Sequence, residues 1–169
     1  MPKINEKLQL LKKIAHSFNE NGIEWALGAS LMLYLKGIVP DFHDIDLMIS
    51  MKDADKAKEI LSEMGKICPP NPIQNPIYHT KRFMEFVIDS IDVDLMAGFI
   101  IEKDSKIYDC SLHKNQIVEE VKLDGESIPL QSPLLWSKYY HLMGRDEKGS
   151  MIEKALSNKK INENKWNFI

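Results

Sequence analysis

A chain of 169 residues, 44% of them hydrophobic, suits one domain with a sizeable core and is too apolar to stay disordered. Its net charge of −3 excludes the global basicity with which a protein holds long nucleic acid by counterion release. Cys68 and Cys110 are too few for a disulfide framework, Met1–Lys7 lacks the apolar centre of a signal peptide, and no apolar run is long enough to span a bilayer. The expectation is a cytoplasmic protein with no membrane association.

Ile4, Leu8, Leu11, Ala15 and Phe18 recur at steps of four and three, one face of a helix that Asn21-Gly22 closes. Ile23–Leu27 reads as a short strand. Gly28 then lets backbone approach a ligand closely, and Ser30 opens a compact helix to Lys36 whose free N–H groups favour an anion. A loop from Gly37 to Phe42 leads into a second strand. There Asp44 and Asp46 leave one sheet face while Ile45 and Leu47 turn to the other. Two neighbouring carboxylates repel, and burying them unpaired is unfavourable; a divalent cation such as Mg²⁺, with its oxygen ligands, removes both problems.

Ser50 with Asp53 three residues later predicts a capped helix presenting Ala54, Ala57, Ile60, Leu61 and Met64, closed by Gly65. Helices alternating with strands predict an α/β or α+β chain rather than a bundle. Cys68–Ile77, with four prolines at 69, 70, 72 and 76, is a surface loop placed near the mouth of the site. Phe83–Ile88 and Ile91–Phe99 form a hairpin around Asp89-Ser90, and Val118–Leu123 with Ile128–Leu130 another around Asp124-Gly125. Ser132-Pro133 opens a helix that runs from Leu134 to Met143 and stops at Gly144. A last helix is expected from Ser150, with Glu153 as its capping partner; Ile161, Trp166, Phe168 and Ile169 are the apolar residues of the tail expected to dock back. The division expected is a core over 1–131 and a helical segment over 132–169.

Leu27-Gly28-Ala29-Ser30 followed by Asp44-Ile45-Asp46-Leu47 resembles the signature of the polymerase-β-like nucleotidyltransferase superfamily. That signature is an apolar residue, Gly, then Gly or Ser, and later an Asp-x-Asp in an apolar strand; this chain departs from it with Ala29. The resemblance implies a small mixed β-sheet flanked by helices. It also implies Mg²⁺ or Mn²⁺ on Asp44 and Asp46, and an NTP, ATP among the candidates, cradled by Gly28, Ala29 and Ser30. Two metal ions roughly 3.5–4 Å apart serve such chemistry, and they call for a third carboxylate that can also take the acceptor's proton. Val93-Asp94-Leu95-Met96 fits the family's third element, which makes Asp94 the choice, with Asp92 in reserve. By similarity to lincosamide nucleotidyltransferases, Lys138 in the post-sheet helix and Arg145 beyond it neutralise the triphosphate.

His16, His43, His79, His113 and His141 show no metal-ligand spacing, and neither a phosphate-binding P-loop nor a nucleophile elbow occurs. A nucleotide-sugar glycosyltransferase would use the same Asp-x-Asp but needs a larger domain before it. The function implied is transfer of a nucleoside monophosphate from NTP to a hydroxyl of a small molecule or protein. Scattered basic residues disfavour a nucleic-acid acceptor; a cleft edged by Trp136, Tyr139 and Tyr140 is expected to take the smaller one. The alternative is an inactive NTP-binding or interaction module, such as one partner of a toxin–antitoxin pair.

Overall fold

A computed structural model describes residues 2–166, apart from the side chains of Val118 and of 159–166. Among the described residues there are five α-helices: α1 (Ile4–Glu20), α2 (Ala29–Leu35), α3 (Ala54–Met64), α4 (Pro133–Leu142) and α5 (Asp146–Trp166). Nine strands accompany them: β1 (Trp25–Leu27), β2 (Ile45–Ile49), β3 (Lys66–Ile67), β4 (Arg82–Ile88), β5 (Ile91–Ala97), β6 (Ile100–Lys103), β7 (Lys106–Asp109), β8 (Ile117–Leu123) and β9 (Glu126–Gln131). Seven form one mixed sheet in the order β3-β4-β5-β2-β1-β9-β8, while β6 and β7 make a separate hairpin. Among the described residues, no helix is long and apolar enough to cross a membrane.

Period-two patterning builds the centre of the sheet. Ile45 and Leu47 of β2, with Val93 and Leu95 of β5, are fully buried, and alternate residues on the same strands carry acids to the other face. β2 and β5 run parallel, with Ile45 opposite Val93 and Asp46 opposite Asp94. α1 packs on β9 and on α3, and α3 packs on β4, so Leu11, Ile14, Phe18, Ala57 and Leu61 close the core. α4 and α5 pack on each other, and α4 also meets α2.

Both expected hairpins form. Asp89 and Ser90 have φ of 52° and 65°, and Asp124 and Gly125 have φ of 48° and 87°, the paired left-handed conformations of a two-residue turn matched to strand twist. The β6–β7 hairpin turns the same way at Asp104-Ser105 and has no counterpart in the sequence reading.

Three expectations are corrected. Ser50 caps a short 3-10 turn, Met51–Asp53, without a side-chain bond, because the Asp53 carboxylate accepts instead from the Glu24 amide at 2.8 Å. The last helix begins at Asp146 rather than Ser150, and Glu153 accepts from the Ser137 hydroxyl at 2.7 Å in place of capping. Trp136, Tyr139 and Tyr140 belong to the core rather than to a cleft wall: they are 2–3% exposed and form an aromatic cluster with Phe99. Phe168 and Ile169 of the tail, and the side chains of Ile161 and Trp166, lie outside the described residues.

Gly28 is the joint between sheet and α4. Its amide donates to the Asp46 carbonyl at 3.2 Å, and the Trp136 indole crosses over it to donate to Gln131 Oε1 at 2.8 Å. A Cβ on Gly28 would stand 2.6 Å from the indole ring and 2.8 Å from Gln131 Oε1. Gly28→Ala should therefore destabilise the fold by about 1–3 kcal/mol through overpacking, read as a lower denaturant midpoint at unchanged m-value.

Candidate active site

The carboxylates gather on one face of the sheet. Asp46 and Asp94 stand opposite one another on β2 and β5, and Glu85 of β4 continues their row beside Asp94. One pleat repeat away lie Asp44, just before β2, and Asp92 of β5. The His43 Nδ1 approaches Asp44 Oδ1 at 2.7 Å, and His43, Asp44 and Asp92 offer ligand atoms within 4.8 Å of one another. Asp94 and its reserve Asp92 thus face the same side, Asp94 beside Asp46 and Asp92 beside Asp44.

Burial pushes the Asp46 carboxyl up, and the Asp44 charge adds to it; the Lys148 and Arg145 charges work in the other direction. Asp94 rises for the same first reason, with the charges of Asp46, Asp44, Glu85 and Asp92 following. The two carboxyls hydrogen-bond to each other, the arrangement of a pair that shares a proton when nothing else neutralises it. The carboxylates of this face, over-charged for their degree of burial, fit a hard divalent cation, with the His43 ring nitrogen beside Asp44 and Asp92 as a further donor.

Facing the acids is a cationic and aromatic group. The Lys148 ammonium donates to Ser30 Oγ at 3.0 Å and lies 4.8 Å from the centre of the Tyr140 ring; the Arg145 guanidinium is 5.0 Å from the same ring. The Tyr140 hydroxyl also hydrogen-bonds Ser30. Arg145 is placed by the end of α4: with Gly144 left-handed at φ 80°, the Gly144 amide reaches the His141 carbonyl at 3.0 Å and the Arg145 amide reaches the Tyr140 carbonyl at 2.8 Å. Ala29, where the family pattern often has a second glycine, has φ of 52°, a left-handed conformation disfavouring alanine by about 1–2 kcal/mol. Backbone strain therefore sits where the chain turns from the sheet into Ser30.

Lys138 is not part of this group. It is exposed and lines a groove with Lys103, Asp104, Tyr108 and Leu134. Lys148 stands over Ser30 instead. The sequence held the signal in Arg145-Asp146-Glu147-Lys148, since residues three apart share a helix face, but reading it required the true start of α5. A cleft of about 960 Å³ adjoins the acids and is lined by Lys3, Lys7, Ser30, Phe42, His43 and Asp92 among others. It replaces the one expected beside the α4 aromatics.

No family model matches the chain, and no curated protein does. Solved structures do. A Thermotoga maritima protein assigned as a nucleotidyltransferase superposes with a TM-score of 0.70 at 26% identity, over 93% of this chain and 96% of that one. The antibiotic-resistance factor ANT(2″)-Ia gives a TM-score of 0.63 at 14% identity, over 98% and 92%. Lincomycin-bound LnuA, a lincosamide antibiotic adenylyltransferase, gives 0.56 at 15%, over 87% and 97%. The chain has the nucleotidyltransferase fold, in agreement with the resemblance carried by Gly28–Asp46 and Asp92–Met96.

Without a cation, the folded chain binds protons at Asp46 and Asp94 more tightly than the unfolded chain. Stability should then fall as pH rises from the ordinary carboxylate value of 3.8 towards about 7 to 8. Asp46→Asn and Asp94→Asn, which remove that charge, should raise the metal-free Tm at pH 8 more than at pH 5. Mg²⁺ or Mn²⁺ should raise the wild-type Tm and lose that effect in the Asp44→Asn/Asp46→Asn double variant, as followed by calorimetry.

Proposed function

We propose that the chain transfers a nucleoside monophosphate from NTP to the hydroxyl of a small molecule or of a protein side chain. The observation carrying this reading is the in-register pair Asp46 and Asp94, with Asp44 on the same face and the Lys148–Ser30–Tyr140–Arg145 group opposite. Asp44, Asp46 and Asp94 are the residues to hold Mg²⁺ or Mn²⁺. Bound there, the cation would draw charge from the phosphates and acidify a hydroxyl.

Gly28, Ala29 and Ser30 form the turn against which the triphosphate rests, and Lys148 and Arg145 neutralise it where charge accumulates. The acceptor oxygen bonds to the α-phosphorus as the bond from that phosphorus to the bridging oxygen breaks. Pyrophosphate leaves with the electron pair, and the acceptor's proton passes to the Asp94 carboxylate. The cleft beside Asp92 and His43 has the volume of a compact acceptor. ANT(2″)-Ia has been solved with adenylyl-2″-tobramycin and LnuA with lincomycin, which supports a small-molecule acceptor here. A polymer fits less well, since Arg82, a cation that would extend a basic track, pairs with Asp55 at 2.9 Å.

Pyrophosphate release with each of the four NTPs, Mg²⁺ or Mn²⁺ and a panel of hydroxylated acceptors tests the reading. Asp94→Asn should lower turnover by at least about 10²-fold with NTP binding largely kept. A larger loss in Asp92→Asn would exchange the roles of the two. Tight, salt-sensitive retention of short RNA or DNA in a polarisation assay would replace the small acceptor with a nucleic acid.

A further inference from the structure

His141 lies outside the acid cluster, and the chemistry above does not use it, yet its ring joins α4 to α5 across the junction from which the two cations come. Its Nδ1 is 2.7 Å from Asp146 Oδ1 and its Nε2 is 2.9 Å from Glu153 Oε1. A carboxylate only accepts, so both contacts are hydrogen bonds only when both ring nitrogens donate. That condition is met by imidazolium alone; the neutral ring turns a lone pair towards one of the two acids.

The anchor points span the segment that matters. Asp146 is the first residue of α5 and Glu153 lies two turns further on, so the ring ties the last turn of α4 to the first two turns of α5. Arg145 directly precedes Asp146, and Lys148 directly precedes Gly149. Gly149 lies so close to the ring that a Cβ there would stand 2.6 Å from His141 Nε2. The Ser137 hydroxyl reaches the Gly149 carbonyl at 3.1 Å and Glu153 Oε1 at 2.7 Å, and from β6 the Lys103 ammonium donates to the His141 carbonyl at 2.8 Å.

We propose that doubly protonated His141 is a positioning residue: it clamps the turn at Gly144 and so holds Arg145 and Lys148 over Tyr140 and Ser30. This rests on the reading of those two cations as the groups that receive phosphate. The ionisable groups around the ring are Asp146 and Glu153 on α5, Lys103 and Asp104 from β6 and its turn, Tyr108 on β7 and Lys138 on α4 itself. Asp146 first and Glu153 second raise the histidine's affinity for its proton; the histidine lowers that of Asp146, and the Ser137 hydroxyl first and the histidine second lower that of Glu153. A group whose pKa rises on folding stabilises the fold below its unfolded value, and that stabilisation disappears as pH climbs through the folded value. The clamp is therefore closed below the ordinary histidine value of 6.5 and opens on the alkaline side of it.

Amide hydrogen exchange at Arg145 and Gly149, corrected for intrinsic rates, reads the clamp without any nucleotide. Affinity for a fluorescent NTP with Mn²⁺ reads its consequence. Protection in the wild type should fall at least about tenfold between pH 6 and pH 9, the weight of one charge-assisted hydrogen bond. His141→Gln should show the low protection throughout, and NTP affinity at pH 6 should drop with it. Glu153→Gln supplies a second variant, expected to lie between these limits and to bring the His141 titration, followed by NMR, back towards 6.5. Protection that ignores pH in the wild type, or is the same in His141→Gln, overturns the clamp and leaves the nucleotide reading intact. Exchange that follows His141 with no NTP bound at any pH overturns the nucleotide reading, and the positioning role with it.

Discussion

Repulsion between carboxylates is the constraint that the rest of this structure answers to. Asp46 and Asp94 are brought level by parallel pairing of β2 with β5, and Asp44, Asp92 and Glu85 crowd the same face. Nothing local favours that assembly. It persists because the opposite face of the same strands carries Ile45, Leu47, Val93 and Leu95 into a core that excludes water. Hydrophobic burial fixes the register, the register fixes the acids, and the acids create a demand for positive charge.

Part of that demand is met from a distant part of the chain. Lys148 and Arg145 come from the junction of α4 and α5, reached through the packing of Trp136 against Gly28 and the bond between Lys148 and Ser30. Acidic sheet and cationic helix start are thus two halves of one electrostatic unit. The joint between them is a glycine with no room for a side chain, followed by an alanine held in a left-handed conformation.

Much of this was legible in the sequence wherever one local period decided the outcome. The alternation in Ile91–Leu95 and the two-residue turns at Asp89-Ser90 and Asp124-Gly125 each act within a few residues, and the structure carries them as the sequence predicts. What escaped depended on contacts made across the chain. Asp53 abandons a cap because the Glu24 amide, far away in sequence, needs an acceptor. Glu153 does the same for Ser137 and His141, which hid the true start of α5 and with it the alignment of Lys148 on Ser30. The α4 aromatics read equally well as a cleft wall or as core; the partner that settled it, Phe99, sits beyond β5. The β6–β7 hairpin is short and bears charges among its apolar residues, so its alternation never stood out.

The topology also has a consequence for synthesis. β1 lies between β2 and β9, and its parallel partner Leu130 is more than a hundred positions after Leu27. While the ribosome is still making the middle of the chain, β1 has β2 on one side and an unpaired apolar edge, Trp25-Ala26-Leu27, on the other. Such an edge is a template for any passing strand. The β8–β9 hairpin arrives late and covers it, and only then can α4 lay Trp136 over Gly28. Vulnerability to aggregation is concentrated in that interval, and it ends when the last strand of the sheet emerges.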